Sequence, residues 1–484
     1  MTSAIWWIRR DLRLGDNPAL QAALQRADQL IPLFILDPRL LKPPAQPRKA
    51  FLFAGLRRLD ADLRRLGSRL VVRSGEPSEV LRLVVAASGA GRVFAAEDYS
   101  PYALQRDECI AQALPLLLSP GVTIRHPASV VKVDGSPYTV YTPFSKAWKA
   151  LSLPLVSATP GVLPPPASLP PSGDLSSEAL PESEPPWFFL PGEAEALRRL
   201  ERFCSGPIYA YAGDRNRLDL DGTSALSPYL RFGMLSPRQA LAAGLSARSA
   251  IDDAGAQKSA DTWINELIWH EFYTAILYHF PEVLKTAFNP SLRSIPWREA
   301  PDDLDAWQSG LTGYPVVDAG MRQLAATGWM HNRARMLAAS LLVKDLLLNW
   351  QQGERWFMRM LLDGDPASNN GGWQWTAGVG TDAAPYFRIF NPVLQGLNFD
   401  PKGAYVRRWL PELANVPDEW VHRPWEMPLD VQHRNGFRPG KDYPLPIVDH
   451  AFARGRALQA YQASRTHSGA TIEPKPPERP VPRA

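Results

Sequence analysis

Ile5-Trp6-Trp7-Ile8 is a short run that is apolar on both faces of an extended strand, and the same grammar returns along the first third of the chain. It recurs at Ile31-Pro-Leu-Phe-Ile-Leu36, Leu70-Val-Val72, Val93-Phe-Ala-Ala96 and Val122-Thr-Ile124. Strands of this kind suit a sheet covered on both sides, which is the habit of parallel sheets. Helical patterns fill the intervals. Asn17-Pro18 pairs a capping side chain with the residue favoured in a first helical turn. Phe51 to Leu66 repeats apolar residues at helical spacing, with arginines opposite. The alternation predicts an α/β N-terminal domain built on a doubly wound parallel sheet over residues 1–130. No G-x-G-x-x-G follows the first strand, so a dinucleotide site there has no support in the sequence.

From about Ser152 to Pro186 the composition turns to Pro, Ser and Glu. So little apolar surface cannot offset the entropy of ordering unless the segment lies on a preformed surface, and residues 131–192 are expected to be an interdomain linker. From Glu193 to residue 466 the periodicity is helical, which predicts an all-α C-terminal domain, and a Pro-rich tail at 467–484 is expected to be disordered. The 484 residues exceed one ordinary core. With 45% hydrophobic and 21% charged residues, no apolar run is long enough to span a bilayer, and no secretory signal is evident. Cys109 and Cys204 are too few and too far apart for a disulfide framework or a metal site, and they fit a reducing cytoplasm. A formal charge of +4 permits a basic face for DNA without arguing for one.

Chemistry concentrates in the second half. Asp363-Gly-Asp365-Pro-Ala-Ser-Asn369-Asn370-Gly-Gly-Trp373-Gln-Trp375 combines carboxylates, amides, paired glycines and indoles, a mixture that suits the edge and face of a flat heterocycle. A glycine-rich turn before a buried Trp would use the same letters. In Gly222-Thr223-Ser224-Ala225-Leu226-Ser227, the hydroxyls suit a diphosphate and serve equally as helix caps. Trp263, Glu266, Trp269, His270 and Tyr273 fall on one helical stripe at about 100° per residue, either core or the wall of a cavity.

Together with Gly328-Trp-Met-His331-Asn332-Arg333-Ala-Arg335-Met336, these stretches resemble the flavin-binding half of the photolyase/cryptochrome family. The resemblance extends to Trp6-Trp7-Ile-Arg9-Arg10-Asp11-Leu-Arg13 through Asn17-Pro18, to Tyr386-Phe-Arg388-Ile-Phe-Asn391-Pro392, and to Tyr443 through His450. It is greatest to bacterial class I members acting on cyclobutane pyrimidine dimers. It implies FAD held by Tyr211, Thr223, Ser224, Ala225, Leu226, Ser227, Trp263, Glu266, His270, Arg335, Asp363, Gly364, Asp365 and Asn369. Within that set Tyr211 lies on the phosphate side, Arg335 pairs with Asp363, and Asn369 faces the reactive flavin nitrogen, where an amide accepts a hydrogen bond without adding charge.

For dimer-containing DNA the resemblance implies contacts from Arg215, Glu266, Trp269, Asn332, Arg333, Met336, Trp375 and Gln395. Glu266 would meet the carbonyl edge of a flipped-out dimer while Trp269 and Trp375 replace its lost stacking. The family usually has Arg where this chain has His270. Members acting on (6-4) products place histidines at the positions of Asn332 and Met336, so cyclobutane dimers are the expected substrate. Trp373, Trp350 and Trp297 match the family's electron relay, which reduces FAD; the excited reduced flavin then lends the dimer one electron and recovers it after the ring opens. An antenna chromophore is expected near Glu97-Asp98-Tyr99-Ser-Pro101-Tyr102, with 8-hydroxy-5-deazaflavin ahead of methenyltetrahydrofolate or FMN. A monomer without metal or membrane is expected. The competing reading is a cryptochrome-type blue-light receptor without repair.

Overall fold

The structure is a computed structural model describing residues 2–164, 178–182, 188–383, 385 and 388–467. Strands β1 (Ser3–Ile8), β2 (Gln29–Leu36), β3 (Val71–Ser74), β4 (Arg92–Ala96) and β5 (Leu116–Ser119) form one parallel sheet in the order β3-β2-β1-β4-β5. Helices α1 (Pro18–Leu24), α2 (Gln46–Arg65), α3 (Pro77–Ser88) and α4 (Pro101–Ala113) make the crossovers. Asn17 caps α1 as expected, accepting from the Leu20 N–H at 3.1 Å. The double-sided apolar runs are explained by what each face meets. Trp6, Ile8, Phe34 and Phe94 join a core continuous with the C-terminal half, whereas Ile5, Trp7, Leu33 and Val93 pack with Val80, Leu81 and Val84 of α3. The winding reverses between β1 and β4, so the switch point lies at Arg9-Arg10 and Glu97-Asp98.

The fifth strand is not where the sequence placed it. Leu116–Ser119 pairs with Val93 through Ala96, while Val122, Thr123 and Ile124 bend away from the sheet. Their backbone is satisfied otherwise: Ile124 N–H donates to the Glu271 carboxylate, and Arg125 N–H does so at 3.2 Å.

The expected linker also contains structure. Helix α5 (Tyr141–Ala150) buries Phe144 and Trp148 in the shared core. Beyond it the described extended chain lies on the N-terminal domain, with Ser157 N–H donating to Asp16 at 3.0 Å and Glu178 N–H to the Val72 carbonyl at 2.9 Å. Residues 165–177, 183–187, Tyr386, Phe387 and the tail 468–484 lie outside the described residues.

The C-terminal half is helical. The site uses α6 (Ser227–Phe232), α7 (Ala254–His279), α8 (Asn332–Ser340), α9 (Trp350–Met360) and α10 (Pro366–Ala377). Two glycines set how closely these approach. A Cβ on Gly371 of α10 would lie 2.1 Å from the Tyr273 ring of α7, and one on Gly353 of α9 would lie 2.1 Å from the Trp373 indole of α10. Among the described residues, no helix is long and apolar enough to cross a membrane.

Candidate active site

Helices α7, α8 and α10 and the 211–231 segment enclose a cavity of about 510 Å³, within the range of small-molecule sites. The whole predicted stripe of α7 lines it: Trp263, Glu266, Trp269, His270 and Tyr273. Tyr211, Arg215, Ser224, Leu226 and Ser227 close one side; Asn332, Arg335 and Met336 of α8 close another. Asp363, Gly364, Asp365, Asn369, Trp373 and Trp375 complete the wall.

The two readings of the hydroxyl turn separate here. The N-cap of α6 is Leu226, and no side chain caps that helix, so Ser224 and Ser227 do not serve as caps, and both line the cavity. Ser227 Oγ donates to Asp363 at 2.6 Å, and Trp263 Nε1 donates to Ser224 Oγ at 3.3 Å. Ala225 holds the turn with φ of 48°, a left-handed conformation costly for a residue with a Cβ. Thr223 and Ala225 belong to the turn but not to the cavity wall.

The carboxylates differ in their partners. Asp363 accepts from Arg335 Nη2 at 2.7 Å, the pairing expected from the sequence. Asp365 caps α10 by accepting from Ala367 and Ser368 N–H at 3.0 and 3.1 Å, and it pairs with Arg10 at 2.8 Å. Burial pushes its carboxyl up, but Arg10 and Arg231 outweigh that and hold it well below the usual carboxylate range. Glu266 pairs with Arg215 at 2.7 Å, and pocket desolvation nevertheless raises its carboxyl above its ordinary value. His270, where the family usually has Arg, faces a different set of groups. It lies between the cavity and a small polar pocket lined by Arg10, Asp98 and Asp365, and burial lowers its imidazole despite Asp365.

Asn369 Nδ2 donates to the Glu354 carbonyl at 3.0 Å and to its carboxylate at 2.9 Å, which leaves Oδ1 as the group available to the cavity. Trp373 is buried, edge-on to Phe357 at 5.0 Å and to Trp307 at 6.0 Å. Trp350 is buried outside the cavity wall, and Trp297 is half-buried, edge-on to Tyr461 at 6.1 Å. Arg333 is drawn off the wall, donating to Asn216 at 2.6 Å and lying 4.4 Å over Phe399. Gln395 sits on a separate helix, Pro392–Phe399. At the sheet's switch point, Arg9 and Arg106 lie 4.7 and 4.8 Å from the Trp7 ring centre, and the Tyr102 hydroxyl donates to Asp37.

Sequence reasoning missed several residues that hold this wall, Glu271 on it and the others behind it. Arg10 and Glu354 are two; Glu271 is a third, accepting from Trp148 Nε1 at 2.6 Å as well as from Ile124 and Arg125, with burial pushing its carboxyl up to about 7. The capacity for a cofactor is visible in unpaired groups: Asp363 Oδ1, Ser368 Oγ and Trp373 Nε1 are buried without a hydrogen-bond partner, and all three residues line the cavity. Such groups are costly unless a ligand meets them, and their mix of acceptors, donors and aromatic faces fits FAD.

A parallel-sheet domain joined to a helical half with a heterocycle-sized cavity defines a two-domain cofactor protein of the flavin-binding kind. Residues 263–463 match the model described as the FAD binding domain of DNA photolyase, and residues 4–167 match that of DNA photolyase. The deoxyribodipyrimidine photo-lyase of Escherichia coli is 41% identical over 479 residues, covering 96% of this chain and 99% of the relative. A bacterial class III photolyase from Agrobacterium tumefaciens superposes with a TM-score of 0.90 at 38% identity, covering 96% of this chain and 98% of the other. A Synechocystis cryptochrome gives 0.85 at 29%, covering 95% and 99%. This chain belongs to the DNA photolyase/cryptochrome family.

Proposed function

We propose that this chain splits cyclobutane pyrimidine dimers in DNA under blue light, with FAD in the cavity. The observation that carries this reading is the meeting, in one cavity, of a lesion wall of Glu266, Trp269, Met336 and Trp375 with a cofactor wall of Asp363, Asp365, Asn369 and Trp373. Similarity to the deoxyribodipyrimidine photo-lyase of E. coli supports the same substrate. The neighbour at a TM-score of 0.90 is a class III photolyase, whereas the sequence motifs suggested class I, and the proposed reaction rests on the pocket rather than on the class.

Ser224 and Ser227 would face the diphosphate, Asp363 and Asp365 the adenosine and flavin edges, and Asn369 Oδ1 the reactive ring nitrogen. Bound there, FAD supplies a light-excited electron donor. The chain does the rest. The raised Glu266 carboxyl, steadied by Arg215, donates to or accepts from a pyrimidine carbonyl edge. Trp269 and Trp375 offer ring faces to a dimer taken out of the stack. Trp297, then Trp350 and Trp373, would carry electrons inward from the surface to the cavity.

Opening a cyclobutane ring breaks two carbon–carbon bonds with one electron lent and returned, whereas a (6-4) adduct also needs a proton donor. Asn332 and Met336 supply none; they contact one another at 3.8 Å. His331 caps α8 by accepting from Arg333 N–H at 3.1 Å, and burial lowers its imidazole to about 4. The switch-point end of the sheet would hold an antenna, with 8-hydroxy-5-deazaflavin favoured, and reconstitution followed by absorbance tests that assignment.

The decisive experiment illuminates the reduced, FAD-loaded protein with oligonucleotides bearing either lesion and quantifies both by chromatography. Cyclobutane dimers should revert and (6-4) products persist; Glu266→Ala should lower the yield with FAD retained, since an unmade contact in a desolvated pocket costs about 1–3 kcal/mol. Reversal of (6-4) products, or no cyclobutane reversal, overturns the reading. The latter result would favour the receptor function suggested by the cryptochrome neighbour.

A further inference from the structure

The indole of Trp269 does not stand alone at the cavity wall. The ring of Tyr141 lies on it with 3.6 Å between centroids and 4° between planes, and Phe272 meets it edge-on at 5.6 Å. Tyr141 is the first residue of α5, in the segment between the domains. Two hydrogen bonds hold it there. Its hydroxyl donates to the Asn265 carbonyl on α7 at 3.0 Å, and its N–H donates to the Asp382 carboxylate at 3.1 Å. Trp269 lines the cavity and Tyr141 does not, so the covered face is the one turned away from it.

A free indole must be ordered when a base stacks on it, and that ordering subtracts from affinity. A backed indole presents its plane in advance. We propose that Tyr141 is a positioning residue for lesion recognition: it fixes Trp269 as a preformed plate, so that a flipped-out base completes the stack Tyr141–Trp269–base. This inference rests on the reading of the cavity as a dimer pocket. It adds a contact from the interdomain segment, anchored to α7 through Asn265 and to the loop after α10 through Asp382.

The test measures dark binding of the FAD-loaded protein to a duplex with one cyclobutane dimer and to the matched intact duplex. Wild type is compared with Tyr141→Phe, Tyr141→Ala and Tyr141→Leu. Phe keeps the ring and should keep wild-type discrimination. Ala and Leu remove the flat face, and the ratio of damaged to undamaged affinity should fall by about three- to tenfold, with FAD content and intact-duplex affinity unchanged. Under light at saturating DNA their repair rate should match wild type, placing the defect in binding. An undiminished ratio in Ala and Leu overturns the proposal. So does an equal loss on both duplexes, or loss of FAD, either of which marks a general structural role. Wild-type protein that binds both duplexes alike would overturn the dimer-pocket reading, and this inference with it.

Discussion

Arg10 lies just past β1, yet removing it should loosen a cofactor wall in the other half of the molecule. Its guanidinium pairs with Asp365 at 2.8 Å and Asp98 at 3.5 Å and donates from Nε to the Arg231 carbonyl at 3.3 Å. Side-chain exposures of 17% for Arg10, 8% for Asp365 and 14% for Asp98 place the cluster in the interior. Breaking a buried pair by deleting one partner costs about 3–5 kcal/mol, mostly for the charge left behind. Arg231 remains near both carboxylates. Its guanidinium is pulled down to about 9 by burial and then by Arg10, so losing Arg10 strengthens it as a substitute. Arg10→Ala should therefore cost about 3 kcal/mol, the low end of that range.

The sign with pH follows from the carboxylates. On Asp98 burial works upward, but Arg10 brings the value down to about 2, and Asp365 is held still lower. Folded values depressed below the unfolded one stabilise the protein above the unfolded value of 3.8, and that stabilisation disappears as pH falls toward the folded values. The gap between wild type and variant should thus be full at pH 7 and shrink below about pH 4. Thermal unfolding at both pH values, with flavin absorbance recorded alongside, measures this. FAD retention should fall as well, because Asp365 caps the helix that carries Asn369 and Trp373. Equal midpoints at pH 7, or a gap that ignores pH, would refute the reasoning.

Trp373→Phe should leave FAD bound and strongly slow its photoreduction, since a phenyl ring is much harder to oxidise than an indole; bleaching under blue light with an external reductant checks this, and an unchanged rate would remove Trp373 from the relay. Gly353→Ala tests the position of that indole rather than its chemistry. Its Cβ would fall 2.1 Å from the Trp373 ring. Ordinary contacts are about 3.5–4.0 Å, so the ring must shift by roughly 1.5 Å. Overpacking should cost about 1–3 kcal/mol, seen as a lower thermal midpoint together with altered photoreduction, and wild-type behaviour in both would show that the site yields freely.

What the sequence disclosed, and what it hid, divides by the distance over which a residue acts. Four strands and the stripe of α7 were legible because a period within one element carries the information. The fifth strand was misplaced because Val122-Thr-Ile124 has strand-forming letters, while the acceptor that takes its backbone, Glu271, lies 147 residues from Ile124. The Arg10–Asp365 pair spans 355 residues, and the stack of Tyr141 on Trp269 joins two elements whose periodicities say nothing of each other. Asn369 could be named from its motif, but the direction of its amide depends on Glu354 in the preceding helix. His270 makes the same point within a legible stripe: its position follows from helical spacing, yet the charged groups it faces, Arg10, Asp98 and Asp365, come from distant segments, while Glu266 one turn away is paired with Arg215. A site residue's chemistry is thus written in its own element, whereas its orientation and charge state are set by neighbours that only the fold supplies. Substitutions at Arg10, Tyr141 and Gly353 should accordingly perturb function with every residue of the recognisable motif around Asp363 to Trp375 left in place.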